Sequence, residues 1–229
     1  MDESIWQATT PQLDLPALRE DITVDTAIVG GGITGLTTAL ELTQAGQRVA
    51  VLEAGSIGSG TTGHSTGNLY AVVGTPLSKL RRKWGERILR EVVGSRASAV
   101  DHVEGLVREH AIACDFARRS WHLFDPSPSS PGSTFLEMEQ VAAVQAALPA
   151  SLSARAPIGF ETGQTLVIDG QAQFNPLQYV RGLASAAASP RCRIFENTAV
   201  TKVDTDRCTL HTAGGRVTAA SIVMATHTP

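Results

Sequence analysis

The chain has 229 residues, 42% of them hydrophobic and 18% charged, enough for a packed core in one large domain or two small ones. That excludes a disordered chain. Nineteen Lys and Arg against 22 Asp and Glu leave a formal charge of −3, which argues against a nucleic-acid partner. No apolar run approaches the ~20 residues of a membrane-spanning helix. The acidic start Met1-Asp2-Glu3-Ser4 does not read as a signal peptide. The widely spaced Cys114, Cys192 and Cys208 form neither a disulfide framework nor a metal spacing, so the expected setting is a reducing cytoplasm.

Residues 1–21, with Pro11 and Pro16, read as an extended leader packed on the surface. Val24 to Val29 is a short β-branched run of the kind found in a buried parallel strand. Gly30-Gly31-Gly32 stops it. From Thr34 to Gln44, Leu36, Ala39, Leu40 and Leu42 suit one helical face, and Gly46 ends the helix. Arg48 to Glu53 is a second buried strand, which completes a βαβ unit. Ala54 to Asn68 is a Gly/Ser/Thr loop, either a linker or a ligand cradle. Leu77 to Glu109 reads as one long helix, or two broken near Gly94. Trp121–Phe124 is a strand, 125–132 a Pro/Ser loop, Thr134–Leu148 a helix and Thr165–Ile168 a strand. Asn175-Pro176 opens a helix to about Ala188, with Asn as cap and Pro at the first position. Four short β-like runs follow: Arg193–Phe195, Ala199–Val203, Cys208–Thr212 and Ser221–Ala225.

Gly30-Gly31-Gly32-Ile33-Thr34-Gly35 matches G-x-G-x-x-G. The pattern gains force from its context: a strand before it, a helix after it, and the acidic Glu53 eighteen positions past Gly35. Gly30 makes the tight turn, Gly32 lets a pyrophosphate approach the backbone, and Gly35 lets helix and strand pack closely. Ile33 and Thr34 sit at the helix N-terminus, whose free N–H groups and positive dipole end favour phosphate. Glu53, at the end of the second strand, suits ribose hydroxyls. The fingerprint does not separate NAD from FAD.

With the loop Gly58-Ser59-Gly60-Thr61-Thr62-Gly63-His64-Ser65-Thr66-Gly67-Asn68 added, the sequence resembles the D-amino-acid oxidase-like family of FAD-dependent oxidoreductases. That family includes glycine-, sarcosine- and dimethylglycine-oxidising enzymes. The resemblance covers Val24–Asn68 with specific motifs and continues more loosely through Gln173–Tyr179 and Ile222–Thr226. It implies FAD as cofactor, with Thr61 and Thr62 near the pyrophosphate and Ala54 beside Glu53 in the cofactor site. It places the backbone of Val200 against adenine. His64 stands where dimethylglycine-oxidising relatives carry a histidine bonded to the flavin. It is read as close to FAD, either as a covalent tether or as a hydrogen-bonding loop residue.

The same resemblance implies a Rossmann-type α/β FAD domain from residues 22–75 and 175–229, with 76–174 as part of an antiparallel substrate domain. It implies oxidation of a small amine or amino acid by hydride transfer to flavin N5. No catalytic residue is assigned. Relatives continue well past the counterpart of Ile222–Thr226. The chain therefore reads as an N-terminal portion with uncovered sheet edges and an incomplete isoalloxazine half. A noncatalytic fragment that binds FAD or adenine nucleotide is the alternative. A second alternative reads Gly63-His64-Ser65-Thr66-Gly67 as the G-x-S-x-G elbow of a serine hydrolase. Ser65 would be its nucleophile, with Asp169 or Asp204 and then His211 or His227 as partners. That elbow needs a strand before it and a helix after it, and the sequence shows neither. Lys79, Arg81, Arg82 and Lys83, answered by Glu86 and Glu91, read as a solvated helix face. Trp84, Trp121 and Phe124 read as core aromatics or pocket lining.

Overall fold

The computed structural model describes residues 3–124 and 134–227. The elements begin with α1 (Ile5–Thr9), β1 (Ile22–Val29), α2 (Ile33–Gln44) and β2 (Val49–Leu52). A 3-10 turn (Thr61–His64), β3 (Asn68–Leu69), α3 (Leu77–Glu109), β4 (Ala117–Phe124) and α4 (Thr134–Gln145) follow. The remainder is β5 (Ala150–Ser153), β6 (Thr165–Gln173), α5 (Pro176–Ala187), β7 (Cys192–Phe195), β8 (Val200–Asp204), β9 (Thr209–Thr212) and β10 (Arg216–Met224). Two compact units result. The first comprises Met1–Gly67, Val107–Cys114 and Asn175–Pro229, the second Asn68–Leu106 and Asp115–Phe174.

The first unit is built on a six-stranded sheet in the order β7-β2-β1-β10-β9-β8. β7, β2, β1 and β10 are parallel, and β9 and β8 return antiparallel. All four residues of β2, Val49-Ala50-Val51-Leu52, are buried, as a strand inside a parallel sheet requires. α2 buries Gly35, Leu36, Ala39 and Leu40. α5 starts at the expected cap, where Asn175 Oδ1 accepts from the N–H groups of Leu177 and Gln178, each at 3.1 Å. The core around Val24, Ala27, Leu52, Leu210 and Val217 also takes in Leu18 from the leader.

The second unit is antiparallel. β6 is central, with β4 along one edge and β5 and β3 along the other. Leu166 and Ile168 of β6 pack with Leu89 and Val93 of α3 and with Leu136, Ala142 and Ala143 of α4. The buried Glu139 of α4 accepts from Leu77 N–H at 2.7 Å and Ser78 N–H at 2.9 Å. A carboxylate thus sits at the positive end of α3. The fold is α/β, a largely parallel sheet in one unit and an antiparallel sheet in the other. No helix among the described residues is long and apolar enough to cross a membrane.

Several elements differ from the sequence expectation. The leader is not wholly extended, because Ser4-Ile5-Trp6-Gln7 closes a capping box that starts α1. α3 breaks at Gly85 (φ 82°, ψ 167°), not at Gly94. Gly94 follows the buried Val93, whose packing keeps that turn helical. α4 stops at Gln145, where Ala147 turns left-handed and the Leu148 N–H returns to the Ala143 carbonyl at 2.9 Å. β4, β6 and β10 outrun their apolar cores, held in register by neighbouring strands. β3 and β5 (Ala-Ser-Leu-Ser) carry no β-branched run and owe their strand form to pairing with β6. The expected 125–132 loop lies outside the described residues.

Candidate functional site

The Gly-rich turn lies between the end of β1 and the start of α2. Gly30 adopts φ +111°, and a Cβ there would come within 2.8 Å of the Ala225 carbonyl oxygen beyond β10. A Cβ on Gly35 would lie 2.0 Å from the Gly30 carbonyl oxygen. Only glycine allows helix and strand to close to this distance. Gly32 is the N-cap of α2 and offers no side-chain cap. The Thr62 hydroxyl takes that place, accepting from the Ile33 N–H at 3.2 Å. A neutral oxygen thus occupies the positive helix end, where an anionic oxygen binds better. Thr34 is exposed in the first turn of α2.

Glu53 follows β2. One carboxylate oxygen accepts from Gly31 N–H at 2.7 Å, and the other from Gly55 N–H at 2.9 Å. Glu53 therefore braces the Gly-rich turn, a role spacing did not suggest. Each oxygen keeps a further lone pair for a hydroxyl donor. Ala54 is exposed beside it.

The loop after β2 is not structureless. Thr61–His64 form one 3-10 turn, with Thr61 and His64 exposed. His64 Nδ1 lies 2.9 Å from the Gly60 carbonyl. A carbonyl only accepts, so Nδ1 carries the proton in this contact. Ser65 Oγ accepts from Gly67 N–H at 3.0 Å. It follows a 3-10 turn and precedes the two-residue β3, so the strand-turn-helix of a nucleophile elbow is absent around it.

Sequence reasoning missed the turn after β7. Glu196 is buried and accepts from Ile57 N–H at 2.6 Å and Leu15 N–H at 3.4 Å. The backbone there is tied to the loop after β2: Glu53 N–H to Phe195 O at 2.9 Å, and Thr198 N–H to Glu53 O at 2.8 Å. Thr198 Oγ accepts from Leu18 N–H at 3.1 Å. Arg181 of α5 donates to the carbonyls of Thr10 and Pro11. Burial pulls its guanidinium below the ordinary value, and the Glu196 charge opposes that shift. A carboxylate directly after a buried strand, like Glu53 after β2, is the one signal that could have flagged Glu196. Val200 opens β8 on the sheet's edge, half-buried against the core, with a register irregularity just after it.

Other expectations change. Trp84 is 58% exposed, so it is not a core residue, and Lys83 Nζ lies 4.9 Å from its ring. Glu86 and Glu91 pair with Arg90 and Arg87 instead of the upstream basic run. In the second unit Trp121 lines a cavity of about 310 Å³ together with Tyr70, Leu123 and Phe135.

The family description "FAD dependent oxidoreductase" (DAO) matches residues 25–228. The chain belongs to the DAO family of FAD-dependent oxidoreductases. Its cofactor is FAD. The chain is 34% identical over 196 residues to the "Putative Rieske 2Fe-2S iron-sulfur protein YhfW" of Bacillus subtilis, covering 86% of this chain and 38% of that protein. It is 30% identical to the gamma-glutamylputrescine oxidoreductase of Escherichia coli, covering 91% of this chain and 50% of that one. Among solved structures, glycine oxidase from Geobacillus kaustophilus superposes with a TM-score of 0.70 at 24% identity, covering 89% of this chain and 55% of that one. The chain spans about half the length, or less, of these relatives. The local features suit the DAO cofactor. The N-cap residue of α2 supplies no side-chain cap and only the neutral Thr62 hydroxyl stands in, Glu53 has lone pairs to spare, and Thr226 Oγ is buried without a partner among the described residues.

Proposed function

We propose that the first unit holds the ADP half of FAD and that the complete protein oxidises a small amine or amino acid. The observation that carries the cofactor assignment is the assembly at the α2 N-terminus: Gly32 without a cap, Thr62 Oγ on the Ile33 N–H, and Glu53 clamped to Gly31. In this reading the N–H groups at Ile33 and Thr34 and the hydroxyls of Thr61 and Thr62 meet the pyrophosphate. The turn Gly30–Gly32 and Gly35 let the backbone come close enough for that contact. Glu53 accepts from the ribose hydroxyls, with Ala54 beside it, and the Val200 backbone reads the adenine edge. His64 presents Nε2 next to this site. Bound FAD supplies the two-electron acceptor for the C–H bond beside the amine nitrogen.

The substrate class rests on kinship. A gamma-glutamylputrescine oxidoreductase and a glycine oxidase are among the similar proteins, and both names denote oxidation of amino compounds. The test is to add glycine, sarcosine and N-alkylated amines anaerobically to the FAD-loaded protein. Loss of the visible flavin absorption with one of them supports amine oxidation. An unbleached spectrum across the series, from protein that holds FAD stoichiometrically, supports the noncatalytic alternative.

A further inference from the structure

We infer that the N-terminal segment is a latch on the cofactor loop, and that Ser4 and Trp6 are positioning residues for FAD. The inference rests on the cofactor site proposed above. Ser4 Oγ donates to the Gly63 carbonyl at 2.5 Å, inside the 3-10 turn Thr61–His64. Trp6 Nε1 donates to the Ser65 carbonyl at 2.8 Å, just past that turn. Both bonds join residues 59 apart in sequence. The capping box between Ser4 and Gln7 sets the direction of α1, so the two donors stand together at its first turn.

The latched segment has few other ties. The Gly63 N–H returns to Gly60 O at 3.1 Å and the Ser65 N–H to Thr62 O at 3.3 Å, both local bonds of a single turn. Short 3-10 turns rich in Gly, Ser and Thr have little intrinsic stability. Yet this turn carries Thr62, whose hydroxyl sits on the Ile33 N–H, and His64. Farther along, the leader is fastened separately: Arg181 to the Thr10 and Pro11 carbonyls, Glu196 to Leu15, and Thr198 to Leu18. The anchored stretch holds α1 in place, and α1 holds the turn. Ordering the turn before the cofactor arrives removes that entropy cost from binding.

The latch touches the pyrophosphate side alone. Glu53 and Val200, the ribose and adenine contacts of the proposed site, form no bond to Ser4 or Trp6. Loss of the latch therefore weakens FAD while sparing adenosine, which has no phosphate, whereas general unfolding weakens both. The experiment uses the 229-residue chain and its variants Trp6→Phe, which keeps an aromatic ring and loses the donor, and Ser4→Ala. Affinities for FAD and adenosine are measured by titration, and amide hydrogen exchange is followed across 60–67 in the apoprotein. The expected result is faster exchange confined to 60–67 and FAD affinity lowered about threefold to tenfold, the worth of one hydrogen bond. Adenosine affinity is unchanged, and Ser4→Thr, which keeps the hydroxyl, restores FAD binding. Unchanged exchange in both variants overturns the latch, as does equal weakening of FAD and adenosine. If the unsubstituted chain binds neither ligand, the cofactor site is wrong, and the exchange measurement still decides whether the latch holds the turn.

Discussion

At the scale of single residues, Glu53 and Gly35 illustrate two kinds of constraint. Spacing alone marks Glu53, at the end of β2, as a proposed ribose acceptor. The geometry adds that its two oxygens also pin Gly31 and Gly55. Glu53→Gln replaces one acceptor oxygen with a donor group that faces an N–H. FAD binding should weaken by about 1–3 kcal/mol in a titration, because a charged hydrogen bond is lost and a buried donor is left facing a donor. Unaltered affinity would remove Glu53 from the site. Gly35→Ala tests packing instead. Its Cβ would lie 2.0 Å from the rigid Gly30 carbonyl oxygen, and no flexible side chain can yield. Overpacking of this kind costs about 1–3 kcal/mol or more, read as a lower midpoint in urea. For His64, the Nδ1 contact to the Gly60 carbonyl at 2.9 Å fits a hydrogen-bonding loop residue. Flavin should pass into the filtrate when the loaded protein is denatured and filtered. Colour retained on the polypeptide would make His64 a tether.

At the scale of elements, the βαβ unit was legible because three signals agreed: an apolar strand, the glycine fingerprint and an acidic residue after the second strand. α5 was equally plain from Asn175-Pro176. The failures have physical causes. β3 and β5 become strands only because β6 offers them partners, and pairing of that kind leaves no local trace. α1 did leave a trace, the S-x-x-Q box at Ser4–Gln7, which two nearby prolines obscured. The buried Glu196 was hidden because its partners, Ile57 and Leu15, lie 139 and 181 residues away in sequence. The start of β2 is fastened by Asp25, whose carboxylate accepts from the Arg48 backbone N–H and guanidinium at 2.7 Å each. Bonds from the Arg48 side chain, then from its backbone N–H, hold the Asp25 carboxyl below its ordinary value. A carboxylate with a lower pKa in the folded state stabilises the fold above its unfolded pKa. That contribution disappears as pH falls through the folded value. The gap in melting temperature between the natural chain and Asp25→Asn should therefore be present at neutral pH and close below pH 3.8. A gap that persists at lower pH would contradict the assignment.

At the scale of the molecule, the two units differ in the kind of sheet they are built on. One carries the parallel sheet with the dinucleotide fingerprint, and the other an antiparallel sheet backed by α3 and α4. The chain spans about half the length, or less, of the relatives it matches. The proposed function requires this portion to form a working site for the ADP half of FAD. Titration of the purified 229-residue chain with FAD, followed by its visible spectrum after desalting, is the decisive measurement. Flavin bands should stay with the native protein and be competed away by AMP. A colourless protein after saturation with FAD would contradict it.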